Sequence, residues 1–309
     1  MKRRPVPRLR PGDTIGVAAL SGATDRTLIS RGCAVLTRRG YRVALAENLH
    51  ARYGGLAGTD RQRAAGFNAL LRRPEITGIV FARGGYGAIR TLAALDWTRL
   101  ARRPRVLIGY SDLTVLFAAV RQRTGLPCFY GPMVTDLGRS ANPFTRRHWF
   151  AAVSDPAYRL QIPLDRSQVF HPGRAEGVLA GGCLSLLSRT LDTPWEQDLR
   201  RTILFLEDVN ETPQTIDAML QHLRQSGRLR GVRGVILGRW KGCRPPRGHA
   251  SLDWPQVYRD GLGDLGVPII TDFPCSHHAR TLTLPLGCRV RIDTRRRRVE
   301  ALESPLARE

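Results

Sequence analysis

The first half of the chain alternates short apolar runs with amphipathic segments. Each apolar run predicts a strand, and each amphipathic segment that follows predicts a helix. This βαβα series predicts an α/β fold, a parallel sheet with helices on both faces. The predicted strands are Thr14–Ala19, Tyr41–Leu45, Ile76–Ala82 and Val106–Tyr110, and the predicted helices are Thr27–Arg38, Arg61–Leu71, Ala88–Leu95 and Leu113–Gln122.

The pattern breaks between residues 135 and 175 into polar sequence that contains several prolines. We therefore expect an N-terminal domain over residues 1–135, a linker over 136–175 and a C-terminal domain over 176–309. The second half predicts a smaller, strand-rich α/β domain. Its predicted elements are strands at Glu176–Ala180, Thr202–Leu206 and Gly234–Gly238, helices at Leu184–Leu191 and Thr215–Gly227, and a strand-rich end from Leu282 to Leu302.

Composition places the chain among globular proteins, since 42% of its 309 residues are hydrophobic. No apolar run approaches the roughly 20 residues that span a bilayer. The basic N-terminus leads into no signal-peptide core. From these features we expect a cytoplasmic protein with no membrane partner.

The formal net charge is +23, and Lys2 and Lys241 are the two lysines among 49 basic residues. So strong a bias towards arginine resembles the codon usage of a GC-rich genome. The arginines are dispersed, except for the run Arg295–Arg298, whose flanking strand-like segments predict an exposed hairpin turn. No helix-turn-helix, RNP-type strand or interleaved aromatic pattern accompanies the charge, so no specific nucleic-acid partner is expected. An arginine-rich nucleotide- or nucleic-acid-binding protein stays open as an alternative from another class.

The six cysteines include no C-x-x-C pair. This spacing suggests neither a zinc site nor a disulfide framework, and we expect no metal and no cofactor. Cys275 lies two residues from His277, which raises the possibility of a thiol nucleophile. Free cysteines more often behave as small core residues.

Ser111 follows the apolar run that ends at Gly109 and precedes a helix-like segment. A serine on a sharp strand-to-helix turn has its hydroxyl lifted out of the sheet, beside the first N–H groups of the helix. Those N–H groups can stabilise an oxyanion, which is the logic of a nucleophile elbow. Leu113 stands where the commonest elbow has glycine. A simpler alternative is that Ser111 or Asp112 caps the helix.

A second strand end carries the glycine turn Arg83–Gly87, whose glycines let the backbone approach a bound group. Glycine turns also bind phosphates, so a dinucleotide fold is a rival interpretation. The spacing here is G-G-x-G rather than G-x-G-x-x-G, and no acidic strand end lies at the distance expected for a ribose.

Two further strand ends carry ionisable groups. Glu207 comes directly after an apolar run and is placed to project into a cleft, although an acidic loop that caps the next helix fits the same pattern. His277 and His278 are adjacent in a turn-like segment before a predicted hairpin. An imidazole can take the proton of an attacking hydroxyl, and a carboxylate can fix its tautomer. The N–H groups of Asp112 and of the glycine turn would face the developing oxyanion.

Five blocks of this sequence resemble, in order and spacing, the LD-carboxypeptidases of peptidase family S66, from about residue 12 to 293. The blocks are Arg83–Gly87, Gly109–Asp112, Gly181–Ser185, Leu204–Asp208 and His277–Gly287. The resemblance implies a catalytic triad of Ser111, Glu207 and His277 in a serine peptidase. It also implies removal of the terminal D-alanine from muropeptide tetrapeptides, in cytoplasmic peptidoglycan recycling, by a homodimer that needs no metal.

The sequence departs from the family pattern beside the histidine, where Ser276 replaces the usual glycine and His278 follows. The flanking residues favour His277 as the acting imidazole. Arg83 is the candidate for binding the substrate carboxylate. Gly84 and Gly85 are the candidates for stabilising the oxyanion. Immunity hydrolases that resemble the microcin C-resistance proteins are an alternative within the family. They cut aminoacyl-nucleotides, and Trp195 or Trp240 would be the candidate platform for the adenine.

Overall fold

The structure is a computed structural model that describes residues 4–139, 142–245, 248 and 250–308. The chain divides into two compact units. Unit 1 contains the described residues up to Tyr158, together with Ala279–Gly287 and those from Ser304 onward. Unit 2 contains Arg159–His278 and Cys288–Glu303. Ser140 and Ala141, in the predicted linker, and His249 lie outside the described residues.

Unit 1 is built on a six-stranded sheet with the order β12-β5-β4-β3-β1-β2. The five strands from the N-terminal half pair in parallel, and β12 pairs antiparallel with β5 at the edge. The strands are β1 (Thr14–Ala18), β2 (Arg42–Leu45), β3 (Ile76–Phe81), β4 (Val106–Gly109), β5 (Cys128–Tyr130) and β12 (Leu284–Leu286). The predicted parallel sheet is therefore confirmed.

Every residue of β1 and β4 is buried, which is the pattern of strands covered on both faces. Several of the helices that connect the strands begin at polar caps. Asp25 accepts from the backbone of Leu28, and Thr59 and Gln62 form a reciprocal capping box. The helices of unit 1 are α1 (Arg26–Thr37), α2 (Asp60–Arg72), α3 (Trp97–Arg102), α4 (Thr114–Thr124), α5 (Val134–Gly138) and α6 (Pro143–Ser154).

Three details of unit 1 differ from the pattern that the sequence suggests. Ala88–Ala94, predicted as a helix, forms tighter 3-10 turns. Residues 136–175 contain ordered elements, of which α6 belongs to unit 1 and the first strands of the next sheet belong to unit 2. The third detail is β12, which comes from the strand-rich end of the chain and pairs with β5.

Unit 2 contains an eight-stranded sheet with the order β6-β14-β13-β8-β9-β10-β11-β7. Its centre, β8 to β11, is parallel, and the flanking strands pair antiparallel. The strands are β6 (Gln161–Pro163), β7 (Val169–His171), β8 (Arg174–Cys183), β9 (Thr202–Glu207), β10 (Gly234–Gly238), β11 (Ile269–Phe273), β13 (Arg289–Asp293) and β14 (Arg298–Ala301). β13 and β14 confirm the hairpin around the arginine run.

The helices of unit 2 pack on an apolar cluster that includes Leu204 and Leu206 of β9 and Leu220 of the second helix. The helices are α7 (Leu184–Ser188), α8 (Pro213–Gln225) and α9 (Trp254–Leu262). The sequence pattern did not single out α9 or β11. Within the described residues, no helix combines the length and apolar character that crossing a membrane requires.

At Gly32, α1 packs closely against α5. A Cβ at this buried position would lie 2.1 Å from the backbone carbonyl oxygen of Val134. Because that contact is with backbone, α1 and α5 would have to move apart. We therefore expect Gly32→Ala to lower the free energy of unfolding by roughly 1–3 kcal/mol. Urea unfolding measures the loss, with Arg31→Ala on the exposed side of α1 as control. Equal stability of the two variants would contradict this packing argument.

Candidate active site

Ser111 lies at the strand end that the sequence indicates, two residues after the last residue of β4. Its φ is +62°, in the left-handed region that side chains other than glycine rarely adopt. The Ser111 N–H donates to the hydroxyl of Tyr130 at 3.3 Å, and the Thr114 hydroxyl donates to the Ser111 carbonyl at 2.7 Å. This strained backbone between a buried strand and α4 is the geometry expected of a nucleophile elbow.

The glycine turn passes close to Ser111. A Cβ on Gly84 would lie 3.0 Å from the Ser111 Cβ and 3.1 Å from its Oγ. Gly85 has a φ of +110°. Glycine at these two positions therefore allows the backbone of the turn to run beside the hydroxyl. The structure thus brings Gly84 together with Ser111 inside unit 1.

The side chain of Asp112 ties the elbow to the glycine turn. Its carboxylate is buried and accepts from the backbone N–H of Ala88 at 2.8 Å. Burial raises the Asp112 pKa, while hydrogen bonds from Ser21 and Ala88 act in the opposite direction. Arg63, fully buried, donates to the carbonyl of Gly87 at 2.8 Å. Arg63 also pairs with the carboxylate of Asp60, three residues earlier. The sequence pattern did not point to Arg63, because its backbone partners are distant along the chain.

Arg83, the candidate for binding the substrate carboxylate, is held by the backbone of a neighbouring loop. Its guanidinium donates to the carbonyl of Ala23 at 2.8 Å. The Gly84 carbonyl accepts from the N–H of Gly22 at 3.1 Å. The loop after β1, which contains Gly22 and Ala23, therefore supports the glycine turn directly.

Unit 2 contains the two ionisable candidates, which lie in direct contact. Glu207 is the last residue of β9 and its side chain has no solvent exposure. Its Oε2 lies 2.8 Å from Nδ1 of His277, whose side chain is 12% exposed. Because a carboxylate accepts, this contact assigns the proton to Nδ1 and leaves Nε2 as the basic nitrogen. We refer to these residues as the Glu–His pair.

Two neighbouring side chains hold the loops that carry the pair. The buried Asp208 accepts from the N–H groups of Ser185 at 2.7 Å and Val209 at 2.9 Å. Burial raises the pKa of Asp208, and these hydrogen bonds partly offset that effect. Lys241 donates from Nζ to the carbonyl of His277 at 2.9 Å. Lys241 thereby anchors the backbone at His277, and Asp208 anchors the loop that follows Glu207.

Cys183 is a member of this cluster that the sequence argument missed. It ends β8, is paired in register with Glu207, and its thiol donates to Oε1 of that carboxylate at 3.2 Å. The sequence signal that could have found Cys183 is its position at a strand end, directly after two glycines. The donor atoms of Cys183, Glu207 and His277 lie within 4.8 Å of one another, a set that could accept a metal ion such as zinc.

His278 and Cys275 have different surroundings from His277. His278 is half-buried, and burial, followed by the charges of Arg239 and Lys241, lowers its pKa. Cys275 is 1% exposed, as a core residue would be. The imidazole that contacts Glu207 is thus that of His277.

Each unit contains groups of the kinds that nucleophilic hydrolases use. Unit 1 supplies a hydroxyl on a strained elbow beside a glycine turn, and unit 2 supplies an imidazole oriented by a buried carboxylate.

Family models identify the class more narrowly. Residues 15–131 match the N-terminal domain of the LD-carboxypeptidases, and residues 176–292 match their C-terminal domain. The chain belongs to the LD-carboxypeptidase family, peptidase family S66.

Two relatives named as murein carboxypeptidases are similar to this chain over most of their length. The chain is 34% identical to the probable murein peptide carboxypeptidase of Bacillus subtilis, over 93% of this chain and 90% of the relative. It is also 34% identical to the murein tetrapeptide carboxypeptidase of Pseudomonas aeruginosa, over 79% of this chain and 81% of the relative. These similarities support peptidase activity of the carboxypeptidase type.

Solved structures confirm the fold class. The microcin C7 self-immunity protein in its wild-type apo state matches with a TM-score of 0.90 at 27% identity, covering 98% of this chain and 100% of that one. The muramoyltetrapeptide carboxypeptidase from Oxalobacter formigenes matches with a TM-score of 0.84 at 27% identity, covering 93% and 97%. Proteins of this fold therefore include a microcin self-immunity protein and a muramoyltetrapeptide carboxypeptidase.

The lowered pKa of His278 has a consequence for stability. A histidine whose pKa is lower in the folded state contributes stability above its ordinary value of 6.5, and that stability is lost as pH falls through the folded pKa. We expect the wild type to lose stability relative to His278→Gln between pH 7.5 and pH 5, about the range in which histidine titrates. Unfolding midpoints of both proteins across this range measure the difference. If the difference in unfolding midpoint stayed constant across this pH range, His278 would have the same pKa in the folded and unfolded states, which contradicts the expectation.

Proposed function

We propose that this protein is a serine-type LD-carboxypeptidase that releases the terminal D-alanine from muropeptide tetrapeptides. The observation that carries the proposal is the 2.8 Å contact between Glu207 Oε2 and His277 Nδ1, in a chain of this family. A buried carboxylate stabilises the imidazolium that forms when His277 accepts a proton. An ordinary surface histidine would have no such partner.

In the proposed reaction, Ser111 of unit 1 and the Glu–His pair of unit 2 act on one substrate. Nε2 of His277 takes the hydroxyl proton as Ser111 Oγ attacks the carbonyl carbon of the scissile bond. The negative charge on the carbonyl oxygen is stabilised by the N–H groups of Asp112 and of Gly84 with Gly85. His277 then returns the proton to the departing amine of D-alanine, and an acyl-enzyme remains.

Water completes the cycle by the same groups. His277 takes a proton from water as its oxygen attacks the acyl-enzyme, and gives it back to Ser111 Oγ as the tripeptide leaves. We propose that Arg83 binds the terminal carboxylate of the substrate, because a guanidinium matches a carboxylate in a two-point contact. Its bond to Ala23 orients the side chain.

The family resemblance supports three further proposals about biological context. We propose that the enzyme acts in peptidoglycan recycling, in the cytoplasm, and that it forms a homodimer. Its specific partner is then the muropeptide, with no specific nucleic acid and no membrane. The net charge of +23 nevertheless favours non-specific association with polyanions at low salt.

A second candidate function is hydrolysis of an aminoacyl-nucleotide. It is favoured by the similarity to the microcin C7 self-immunity protein of Escherichia coli, 27% identical over 97% of this chain. A structure of that immunity protein holds aspartyl sulfamoyl adenosine. The higher identity to the two murein carboxypeptidases favours the muropeptide substrate.

The first test is incubation of the purified chain with a tetrapeptide of L-Ala, D-Glu, meso-diaminopimelate and D-Ala, followed by mass spectrometry. We expect the wild type to remove one alanine and Ser111→Ala to remove none, because the variant lacks the nucleophile. Glu207→Gln should lower kcat by about 10⁴-fold, since an amide favours the wrong tautomer of His277. If the wild type leaves the tetrapeptide intact but cleaves an aminoacyl sulfamoyl adenosine, the second candidate replaces the first.

Gly84→Ala tests the close approach of the glycine turn to the nucleophile. The added methyl group would lie 3.1 Å from Ser111 Oγ, so either the hydroxyl or the turn must shift. We expect kcat/KM for the tetrapeptide to fall about 100-fold, as for other small displacements of reacting groups. Gly55→Ala is the matched control, because nothing lies within 4 Å of its added Cβ. Equal activity of the two variants, both folded by circular dichroism, would exclude the turn from the reaction.

A further inference from the structure

Three side chains of different chemistry meet where β8 and β9 end in unit 2. Cys183 ends β8, Glu207 ends β9, and the two residues are paired in register. The Cys183 thiol donates to Oε1 of Glu207 at 3.2 Å, and Nδ1 of His277 lies 2.8 Å from Oε2. Within the part of the chain that the structure describes, this is the one set of three cysteine, histidine or carboxylate side chains so closely grouped. We call it the Cys–Glu–His cluster.

The cluster offers three of the ligand types that zinc takes in proteins. Zinc binds thiolate sulfur at about 2.3 Å and imidazole nitrogen or carboxylate oxygen at about 2.0–2.2 Å. A tetrahedral ion with these bond lengths holds neighbouring ligand atoms roughly 3–4 Å apart. In the cluster, the sulfur–oxygen and nitrogen–oxygen distances are 3.2 Å and 2.8 Å, and no pair of ligand atoms is further apart than 4.8 Å. Small side-chain rotations therefore suffice to place an ion between the three atoms.

The burial of the cluster fits a site that solvent reaches from one side. Cys183 and Glu207 are buried, whereas the side chain of His277 is 12% exposed. Three protein ligands leave the fourth tetrahedral position to water, unlike a closed structural zinc site, in which the protein fills all four. The partly exposed imidazole gives an ion its access to the cluster.

We propose that the Cys–Glu–His cluster binds one Zn²⁺ ion and that the bound ion inhibits the hydrolase. The thiol proton of Cys183 passes to solvent, and zinc replaces the proton on Nδ1 of His277. A neutral imidazole coordinated through Nδ1 carries its proton on Nε2. It then has no lone pair at Nε2 to accept the hydroxyl proton of Ser111. The inhibition, although not the binding, rests on the proposed function.

The proposal assigns the ion no part in the reaction. Zinc and the proton that sets the catalytic tautomer compete for the same nitrogen, so the metal-free form is the active one. A thiolate and an imidazole favour zinc over magnesium or calcium, which prefer oxygen ligands. Spacing along the sequence did not indicate the site, because Cys183 and His277 lie 24 and 70 residues from Glu207.

Binding is tested in Ser111→Ala, which retains the whole cluster. Titrated Co²⁺, a spectroscopic substitute for zinc, should produce the thiolate-to-cobalt charge-transfer absorption, and Zn²⁺ should displace it. Adding Cys183→Ser should remove this absorption and raise the zinc Kd at least about 100-fold, because a lost ligand costs more than a lost residue that only orients one. Cys33→Ser, which removes a half-buried thiol on α1, is the matched control and should change neither.

Inhibition is measured on the wild type with the tetrapeptide. Zn²⁺ should stop the release of D-alanine, EDTA should restore it, and Mg²⁺ at the same concentration should have no effect. Cys183→Ser, compared with its own metal-free rate, should need at least about 100-fold more zinc for half-inhibition. Anomalous diffraction from zinc-soaked crystals of the wild type requires no variant, and it should place one ion between the three ligand atoms.

The outcomes separate the metal site from the proposed function. A charge-transfer absorption that persists in Cys183→Ser, zinc found only elsewhere in the crystal, or activation of the wild type by zinc would overturn the metal site. If zinc affinity depends on Cys183 but the metal-free wild type cleaves no tetrapeptide, the metal site stands and the proposed function fails. If the metal-free wild type cleaves the tetrapeptide but Cys183→Ser binds zinc equally well, the proposed function stands and the metal site fails.

Discussion

Parallel strands deliver their carboxyl ends to one edge of a sheet, and the chemistry of this protein depends on that constraint. In unit 1, β3 leads into the glycine turn and β4 leads into Ser111. In unit 2, β9 ends at Glu207, and the chain after β11 reaches His277. Each unit therefore gathers its polar residues at one edge, although those residues are far apart in sequence. The buried apolar runs fix the strands, and the strands fix the positions of the polar side chains that follow them.

Placing charged groups at buried strand ends is unfavourable unless hydrogen bonds compensate the lost solvation. The structure meets this requirement largely with backbone groups. Asp112 accepts from the N–H of Ala88, Asp208 accepts from two N–H groups, and Arg63 donates to carbonyl oxygens. Backbone partners cannot rotate away as side chains can, so the loops around Ser111 and the Glu–His pair are held before any substrate binds. Such preorganisation is the largest contribution to catalysis in many hydrolases.

The fold does not by itself determine the substrate, because relatives of this chain include both murein carboxypeptidases and a microcin self-immunity protein. Selection has to come from groups around the pair. The thiol of Cys183 donates to Oε1 of Glu207, and His278, the residue after His277, lines a pocket together with Arg239 and Trp240.

The sequence by itself determined the fold class, most elements, and the positions of Ser111, Glu207 and His277, because each of these residues follows an apolar run or stands in a recognisable block. It also predicted the arginine hairpin. Only the tertiary structure decided the rest. Cys183 meets Glu207 through the register of β8 and β9, and Arg63 meets Gly87 across a loop. The turn after β11 decided that His277, not His278, contacts Glu207. β12 joined the sheet of unit 1 from the far end of the chain. These outcomes depend on pairing between distant segments, and a local pattern of apolar and polar residues carries no information about such pairing.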